Sequence, residues 1–252
     1  MMAENSLDSI ARHIEENGFS LIDQVLSLDE VDEIREQARD SFSTSSQSVR
    51  HRDGKVYAVR NVLELFPQAR ELWRTDRIKQ ILVKVLGEDY GLVRGLFFDK
   101  PPDQTWALPW HKDLLIAVKE ETVTPELIEQ GLYSCPRMRM GVPHTEPPLD
   151  VLQSMLTLRF HLDDMTPDNG PLEVLPGSHL TGKKMKIETF DPLQLHCHAG
   201  DVLAMSPLLV HCSGSSNPET TQHRRILHLE FTAGKTMPGD VQWWEFYPGD
   251  TK

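Results

Sequence analysis

Apolar residues recur at helical spacing near the start of the chain and at strand spacing further on. Over residues 6–17, Leu7, Ile10 and Ile14 fall on one face of a helix, and Gly18 is a natural stop. Phe19-Ser20-Leu21-Ile22 reads as a short strand. Ser27-Leu28-Asp29-Glu30 has the form of a capping box opening a second helix, with Val31, Ile34 and Ala38 inward. Residues 39–56 are polar and serine-rich and read as a mobile loop. Asp76 is placed to cap a third helix with Ile78, Ile81, Leu82 and Val85 inward, ended by Gly87.

From about Tyr90 the apolar runs become short, β-branched or aromatic, and are broken by Pro and Gly. The pattern predicts strands at Leu92–Phe98, Trp110–Val118, Met155–Leu162, Leu172–Leu175, Val202–Met205, Arg225–Thr232 and Val241–Phe246. Residues 119–150 form a long insertion, with a helix start at Thr124-Pro125-Glu126 and a Pro-rich loop over Gly141–Pro148. Its position suggests a lid. Helices followed by about eight short strands predict an α+β fold, most economically closed as a jelly roll. One domain over residues 1–252 is expected: helical support in 1–89, a jelly-roll core in 90–246, and the lid-like insertion at 119–150.

Composition narrows the function. The chain carries a formal charge of −12, and no basic patch is evident, which disfavours nucleic acid as a partner. No apolar run approaches the roughly 18 residues of a membrane span, so no membrane association is expected. Met1-Met2-Ala3-Glu4-Asn5 lacks the basic and apolar regions of a signal peptide. Three cysteines, Cys135, Cys197 and Cys212, make no even framework. A reducing, cytoplasmic location is expected.

The candidate chemistry centres on Trp110-His111-Lys112-Asp113, ahead of the apolar run Leu114–Val118. On a strand, residues two apart share a face, so His111 and Asp113 can grip one ion. A second histidine would complete two His and one carboxylate on one face of a metal, the set used by non-haem Fe(II) oxygenases. The spacing alone decides little, because His51-Arg52-Asp53 and His161-Leu162-Asp163 repeat it, and His13, His144 and His228 have Glu two residues on. His211 is the matching second histidine; it follows an apolar strand, a Ser206-Pro207 turn and a second apolar run. Arg224-Arg225 opens the run Ile226–Phe231, and an arginine there invites a carboxylate through two parallel bonds.

Taken together, these pieces resemble the phytanoyl-CoA dioxygenase family of Fe(II)/2-oxoglutarate oxygenases. The matching segments are Trp110–Asp113, Asp168-Asn169-Gly170-Pro171-Leu172-Glu173-Val174-Leu175-Pro176-Gly177-Ser178-His179, Gly200-Asp201 leading to His211-Cys212-Ser213, and Asn217 with Arg224-Arg225. The resemblance runs over about residues 17–233. It implies a double-stranded β-helix with supporting helices. His111, Asp113 and His211 would be the iron ligands. Arg224, with Arg225 as the alternative, and Ser213 would contact 2-oxoglutarate. The implied reaction uses Fe(II), 2-oxoglutarate and O2, releases succinate and CO2, and hydroxylates a small organic molecule. An intact Asp113 argues against halogenation, since related halogenases put halide in its place.

Rival readings are a non-oxidative cupin-like metal enzyme and an inactive binding relative. His196-Cys197-His198 with Cys212 fits no closed zinc site. Asn169-Gly170 reads as a tight turn with positive φ, and His179 as structural. Of the tryptophans, Trp106, Trp243 and Trp244 read as core, and Trp110 is the candidate substrate platform. No basic patch for the phosphates of coenzyme A stands out, which argues against the family's namesake substrate.

Overall fold

The computed structural model describes residues 6–43, 46–102 and 106–249; Met1–Asn5 lie outside them. The chain runs through α1 (Leu7–Asn17), β1 (Phe19–Ile22), α2 (Leu28–Phe42), β2 (Val49–Arg52), β3 (Lys55–Val59), α3 (Val62–Leu65), α4 (Asp76–Leu86) and β4 (Gly91–Lys100). It continues through β5 (Leu108–His111), β6 (Ile116–Ala117), α5 (Pro125–Glu129), β7 (Ser134–Arg139), β8 (Val142–Glu146), α6 (Leu149–Gln153) and β9 (Met155–His161). The remaining strands are β10 (Leu172–Val174), β11 (Leu193–Gln194), β12 (Val202–Met205), β13 (His211–Ser213), β14 (Arg224–Thr232) and β15 (Tyr247–Pro248).

The strands form an antiparallel major sheet, ordered β1-β12-β9-β14-β4-β3-β2 with β15 also on β4, and a minor sheet ordered β11-β10-β13-β5. This is the α+β, double-stranded β-helix architecture that the strand pattern predicts. The helices cover the outer face of the major sheet. Ile10 and Ile14 of α1, Val31, Ile34, Ala38 and Phe42 of α2, and Ile78, Ile81 and Leu82 of α4 share one core with Leu158, Phe160, Leu227, Leu229 and Phe231. Each buried leucine or phenylalanine contributes about 1.5–3 kcal/mol by leaving water.

Local signals explain the helix ends. The Ser6 hydroxyl accepts from the Ser9 N–H to start α1, and Gly18 ends it at φ +84, where a Cβ would also lie 2.7 Å from His179. The Ser27–Glu30 capping box forms in full. The cap of α4 is Thr75, whose hydroxyl accepts from Ile78, and Asp76 is the first helical residue. Leu86 takes the inward place assigned to Val85, which is half-buried.

Four segment assignments also fail. Residues 39–56 are no loop: α2 continues to Phe42, and β2 and β3 pair as a hairpin. Trp110–Val118 is no single strand, since β5 ends at His111 and β6 begins at Ile116. Gly141–Pro148 contains β8, which pairs with β6 and β7 in a third small sheet. Val241–Phe246 makes only a bridge from Trp243 to Val118, and its backbone turns to bring Trp243 into the core beneath that sheet while Trp244 stays 41% exposed.

A candidate metal centre in a cationic cavity

Two strands of the major sheet, β9 and β14, are buried on both faces. Along β9, Leu156, Leu158 and Phe160 face the helices, which turns Thr157, Arg159 and His161 inward. Along β14, Leu227, Leu229 and Phe231 face the helices, which turns Arg224, Ile226, His228 and Glu230 inward. A cavity of about 660 Å³ opens along this inner face, closed opposite by residues of β5 and β13.

His111 is the last residue of β5 and His211 the first of β13, and the two are direct partners across that pair. Asp113 lies beyond the strand, in a turn fixed by its N–H donating to the Pro207 carbonyl at 2.9 Å. Lys112 pins the same turn from behind: its buried ammonium donates to the Ser178 carbonyl at 3.0 Å, the Thr181 hydroxyl at 3.0 Å and the Gly182 carbonyl at 2.6 Å. The His-x-Asp pair therefore converges by a turn rather than by strand alternation.

Nδ1 of His111 lies 2.8 Å from the Pro109 carbonyl, and Nδ1 of His211 lies 2.9 Å from the Leu209 carbonyl. A carbonyl only accepts, so each Nδ1 carries the proton and each Nε2 carries the free lone pair. Both lone-pair nitrogens face Asp113, at 3.8 Å for His111 and 3.6 Å for His211. The three donor atoms lie within 4.8 Å of one another, and no other such group of three His, Cys, Asp or Glu occurs among the described residues. Burial pushes His211 down to about 4, so it is neutral and able to ligate at neutral pH. Burial would raise Asp113, but His211, His228, His111 and Arg159 outweigh it and hold the carboxyl below its usual range. The donor set and its tautomers fit one cation with the remaining positions open to the cavity.

The neighbouring arginines have opposite fates. Arg225 donates two bonds to Asp163, from Nε and Nη2, each at 2.8 Å, and Arg35 binds the same carboxylate. Arg224 is 3% exposed and lines the cavity, and its Nε and Nη1 have no partner among the described residues. The buried Ser213 hydroxyl, also on the cavity wall, is likewise without one. Leaving such groups unmatched is costly, so this pocket suits the oxygens of a carboxylate. Lys100, the register partner of Arg224, is buried beside it, donating to the Gly214 carbonyl at 2.6 Å with its ammonium over the Trp106 ring, and burial pulls that ammonium down to about 7.

The other sequence candidates separate. His161 is 1% exposed and has no partner among the described residues, while Asp163 two residues on is held by arginines. His51 is exposed on β2, and His179 bonds the Glu15 carbonyl. Gly170 takes φ +65 as expected, and a Cβ there would lie 2.4 Å from the Gly214 carbonyl. Trp106, rather than Trp110, lines the cavity.

A basic patch that the sequence does not reveal is present. Arg50, Arg60, Arg94, Arg139, Arg159 and Arg224 all line the cavity, and among the described residues Asp113 and Glu230 are its acids. The arginines come from β2, β4, β7, β9, β14 and the residue after β3, so no local run announces them. The available signal was the alternation Thr-x-Arg-x-His on β9 and Arg-x-Ile-x-His-x-Glu on β14, where charged residues occupy inward positions of otherwise apolar strands. A second, open depression of about 1250 Å³ lies elsewhere, beside Arg35, Asp163 and Asp201. Its acids are already bonded, Asp163 to two arginines and Asp201 to the Gln24 and His198 N–H groups.

A profile described as Phytanoyl-CoA dioxygenase (PhyH) matches residues 14–226. The chain belongs to the phytanoyl-CoA dioxygenase family. Solved structures with the same fold include the non-heme alpha ketoglutarate dependent carbocyclase SnoK from nogalamycin biosynthesis, at 18% identity, TM-score 0.68 and 99% coverage of each chain. AviO1 from Streptomyces viridochromogenes Tue57 matches at 21% identity and TM-score 0.66 over 94% of this chain and all of its own. EctD from S. alaskensis, solved with bound Fe, matches at 17% identity and TM-score 0.66 over 88% of this chain and 75% of its own. The chain spans only half the length of another match, EvdMO1. Members of the phytanoyl-CoA dioxygenase family are non-haem iron, 2-oxoglutarate-dependent oxygenases. Among the described residues, no helix is long and apolar enough to cross a membrane.

Proposed function

We propose that this phytanoyl-CoA dioxygenase family member is an Fe(II)- and 2-oxoglutarate-dependent dioxygenase that hydroxylates a small organic substrate. His111, Asp113 and His211 hold the iron. The observation that carries the reading is the pair of Nδ1-to-carbonyl bonds that turns both Nε2 lone pairs onto Asp113. Arg224 and Ser213 hold the far carboxylate of 2-oxoglutarate, supported by their unmatched buried donors on the cavity wall. Arg225 is a structural ion pair with Asp163. With iron bound, the centre supplies O2 activation coupled to decarboxylation of 2-oxoglutarate to succinate and CO2.

The protein's share is positioning and exclusion of water. Lys112 fixes the turn that aims Asp113. The 119–150 segment is read as a folded wall of the site, carrying Arg139 to the cavity, rather than as a loose lid. Residues 1–89 and 90–246 act as helical support and catalytic core of one domain. Three free cysteines support a reducing compartment, the cytoplasm.

The test is anaerobic addition of Fe(II) and 2-oxoglutarate, followed by air. Wild type develops the weak visible charge-transfer band and then releases succinate, and Asp113→Ala does neither. Metal binding without any succinate would instead favour a non-oxidative metal enzyme.

A further inference from the structure

The cavity holds more positive charge than a 2-oxoglutarate site needs, and the excess sits at its other end. Arg224 begins β14 and Glu230 lies six residues along it, roughly 20 Å away at strand rise. Glu230 pairs in register with Arg94 on β4, and their side chains meet at 3.2 Å. Arg60 follows β3, which pairs with β4, and Arg139 ends β7. Asn61 donates to the Met140 carbonyl at 3.4 Å, which draws their chain neighbours Arg60 and Arg139 to the same rim. Asp113 lies between the two ends, close enough to feel His228, Arg159 and Arg139.

Only Arg94 of this rim group has a carboxylate. Among the described residues the guanidiniums of Arg60 and Arg139 make no hydrogen bond or ion pair, although both are half-buried in a cavity wall. Burial, helped by Arg94 and Arg139, pulls Arg60 down to about 10. Crowding like charges in a low-dielectric wall opposes folding unless a ligand compensates them. A five-carbon diacid anchored at Arg224 is far too short to do so.

We infer that Arg60, Arg94 and Arg139 form a second oxyanion site across the metal centre from Arg224, and that the substrate is a small organic anion of at least two negative charges, a phosphomonoester or a polycarboxylate. The word substrate rests on the oxygenase reading above; the anion site itself does not. Guanidinium forks bind phosphate and carboxylate through paired bonds, and anchoring that end would present the remainder of the molecule to the metal.

Calorimetric titration of metal-free protein tests the site without turnover, using phenyl phosphate, citrate and phenol as probes. Either anion is expected to bind, with affinity falling as salt rises, and phenol is not. The Arg60→Gln/Arg139→Gln double variant should lose about tenfold or more in affinity, while Arg224→Gln leaves the affinity for phenyl phosphate within about twofold. Arg139→Gln alone, at a strand end, gives a second variant, with circular dichroism checking that each is folded. Phenyl phosphate against citrate identifies the class. The inference is overturned if neither anion binds, if phenol binds as well, or if Arg224→Gln rather than the rim variants abolishes binding. Failure of the oxygenase reading shows separately, as an absent iron–2-oxoglutarate band.

Discussion

His211 stands directly opposite His111 across the β13–β5 pair, with ring centroids 4.2 Å apart. Residues opposite each other in an antiparallel pair are held by the ladder, so the spacing of the two imidazoles does not depend on a flexible loop. Ligand binding to the folded state alone raises its stability. Mn(II), a divalent ion suited to carboxylate and imidazole donors, is expected to raise the Tm of wild type in a dose-dependent manner, and EDTA should reverse it. Asp113→Ala and His211→Ala should show no such rise. An equal rise in wild type and His211→Ala would sink the ligand assignment.

Arg224 and Arg225 should respond differently to the same change. Arg224→Gln removes the unpaired buried guanidinium from the cavity, so KM for 2-oxoglutarate should increase by an order of magnitude or more while Tm barely moves. Arg225→Gln breaks a two-bond pair to Asp163, which is 13% exposed, and should cost about 1–3 kcal/mol of stability with KM little changed. Steady-state kinetics beside urea denaturation separates the two. A raised KM in Arg225→Gln with an unaffected Arg224→Gln reverses the roles.

Much of this was legible from residue pattern, and the remainder was hidden for identifiable reasons. The helix starts at Ser6 and Ser27 and the end at Gly18 follow from local capping chemistry, which needs no tertiary information. The β2–β3 hairpin was readable too: Asp53-Gly54 takes the two positive φ values, 47° and 79°, of a two-residue hairpin turn between the partners Arg52 and Lys55. Its flanks look like loop because the strands are short, largely exposed and rich in arginine, some of which lines the cavity. Other features were invisible locally. The turn at Lys112 depends on acceptors 66 to 70 residues away, so the apolar run after it looked like one strand. The arginine-lined cavity draws on separate strands of a chain whose net charge is −12, and averaging over sequence erases it. Which of two adjacent arginines faces inward follows from period two only once Leu227 and Leu229 are known to face the helices.

Lys112 is expected to be a positioning residue for the metal. The residue is 7% exposed, its ammonium is satisfied by three oxygens of the 178–182 segment, and burial alone draws it down to about 8. Lys112→Met keeps the volume but leaves those acceptors unmatched, and it frees the turn between His111 and Asp113. Losing support of this kind typically costs ~10–100-fold in metal affinity. Fe(II) affinity should fall by that amount, with near-native circular dichroism. Lys112→Arg should recover little, because a planar fork does not match three converging acceptors. Unchanged metal affinity in Lys112→Met would show that Asp113 is placed by its own backbone bond to Pro207.

Acid should destabilise the metal-free protein well before its carboxylates are protonated. Burial pushes His161 down to about 3, with Arg159 and Arg224 adding to it, and pushes His144 down to about 4. Both titrate near 6.5 when unfolded. The unfolded chain therefore binds more protons than the fold between those values, and stability rises with pH across that window. The contribution is complete above about pH 6.5 and is lost as pH falls toward 4 and then 3, by at most about 1.4 kcal/mol per pH unit for each histidine. Asp113 and Glu230, both held below their usual range, lose their share only at lower pH. His211 titrates near His144, so the discriminating comparison is wild type against His161→Phe. Urea midpoints at pH 7.5, 6 and 5 should fall steadily for wild type and less steeply for the variant. Parallel slopes would mean that His161 accepts its proton in the folded state, from a partner or water that the buried ring does not otherwise reveal.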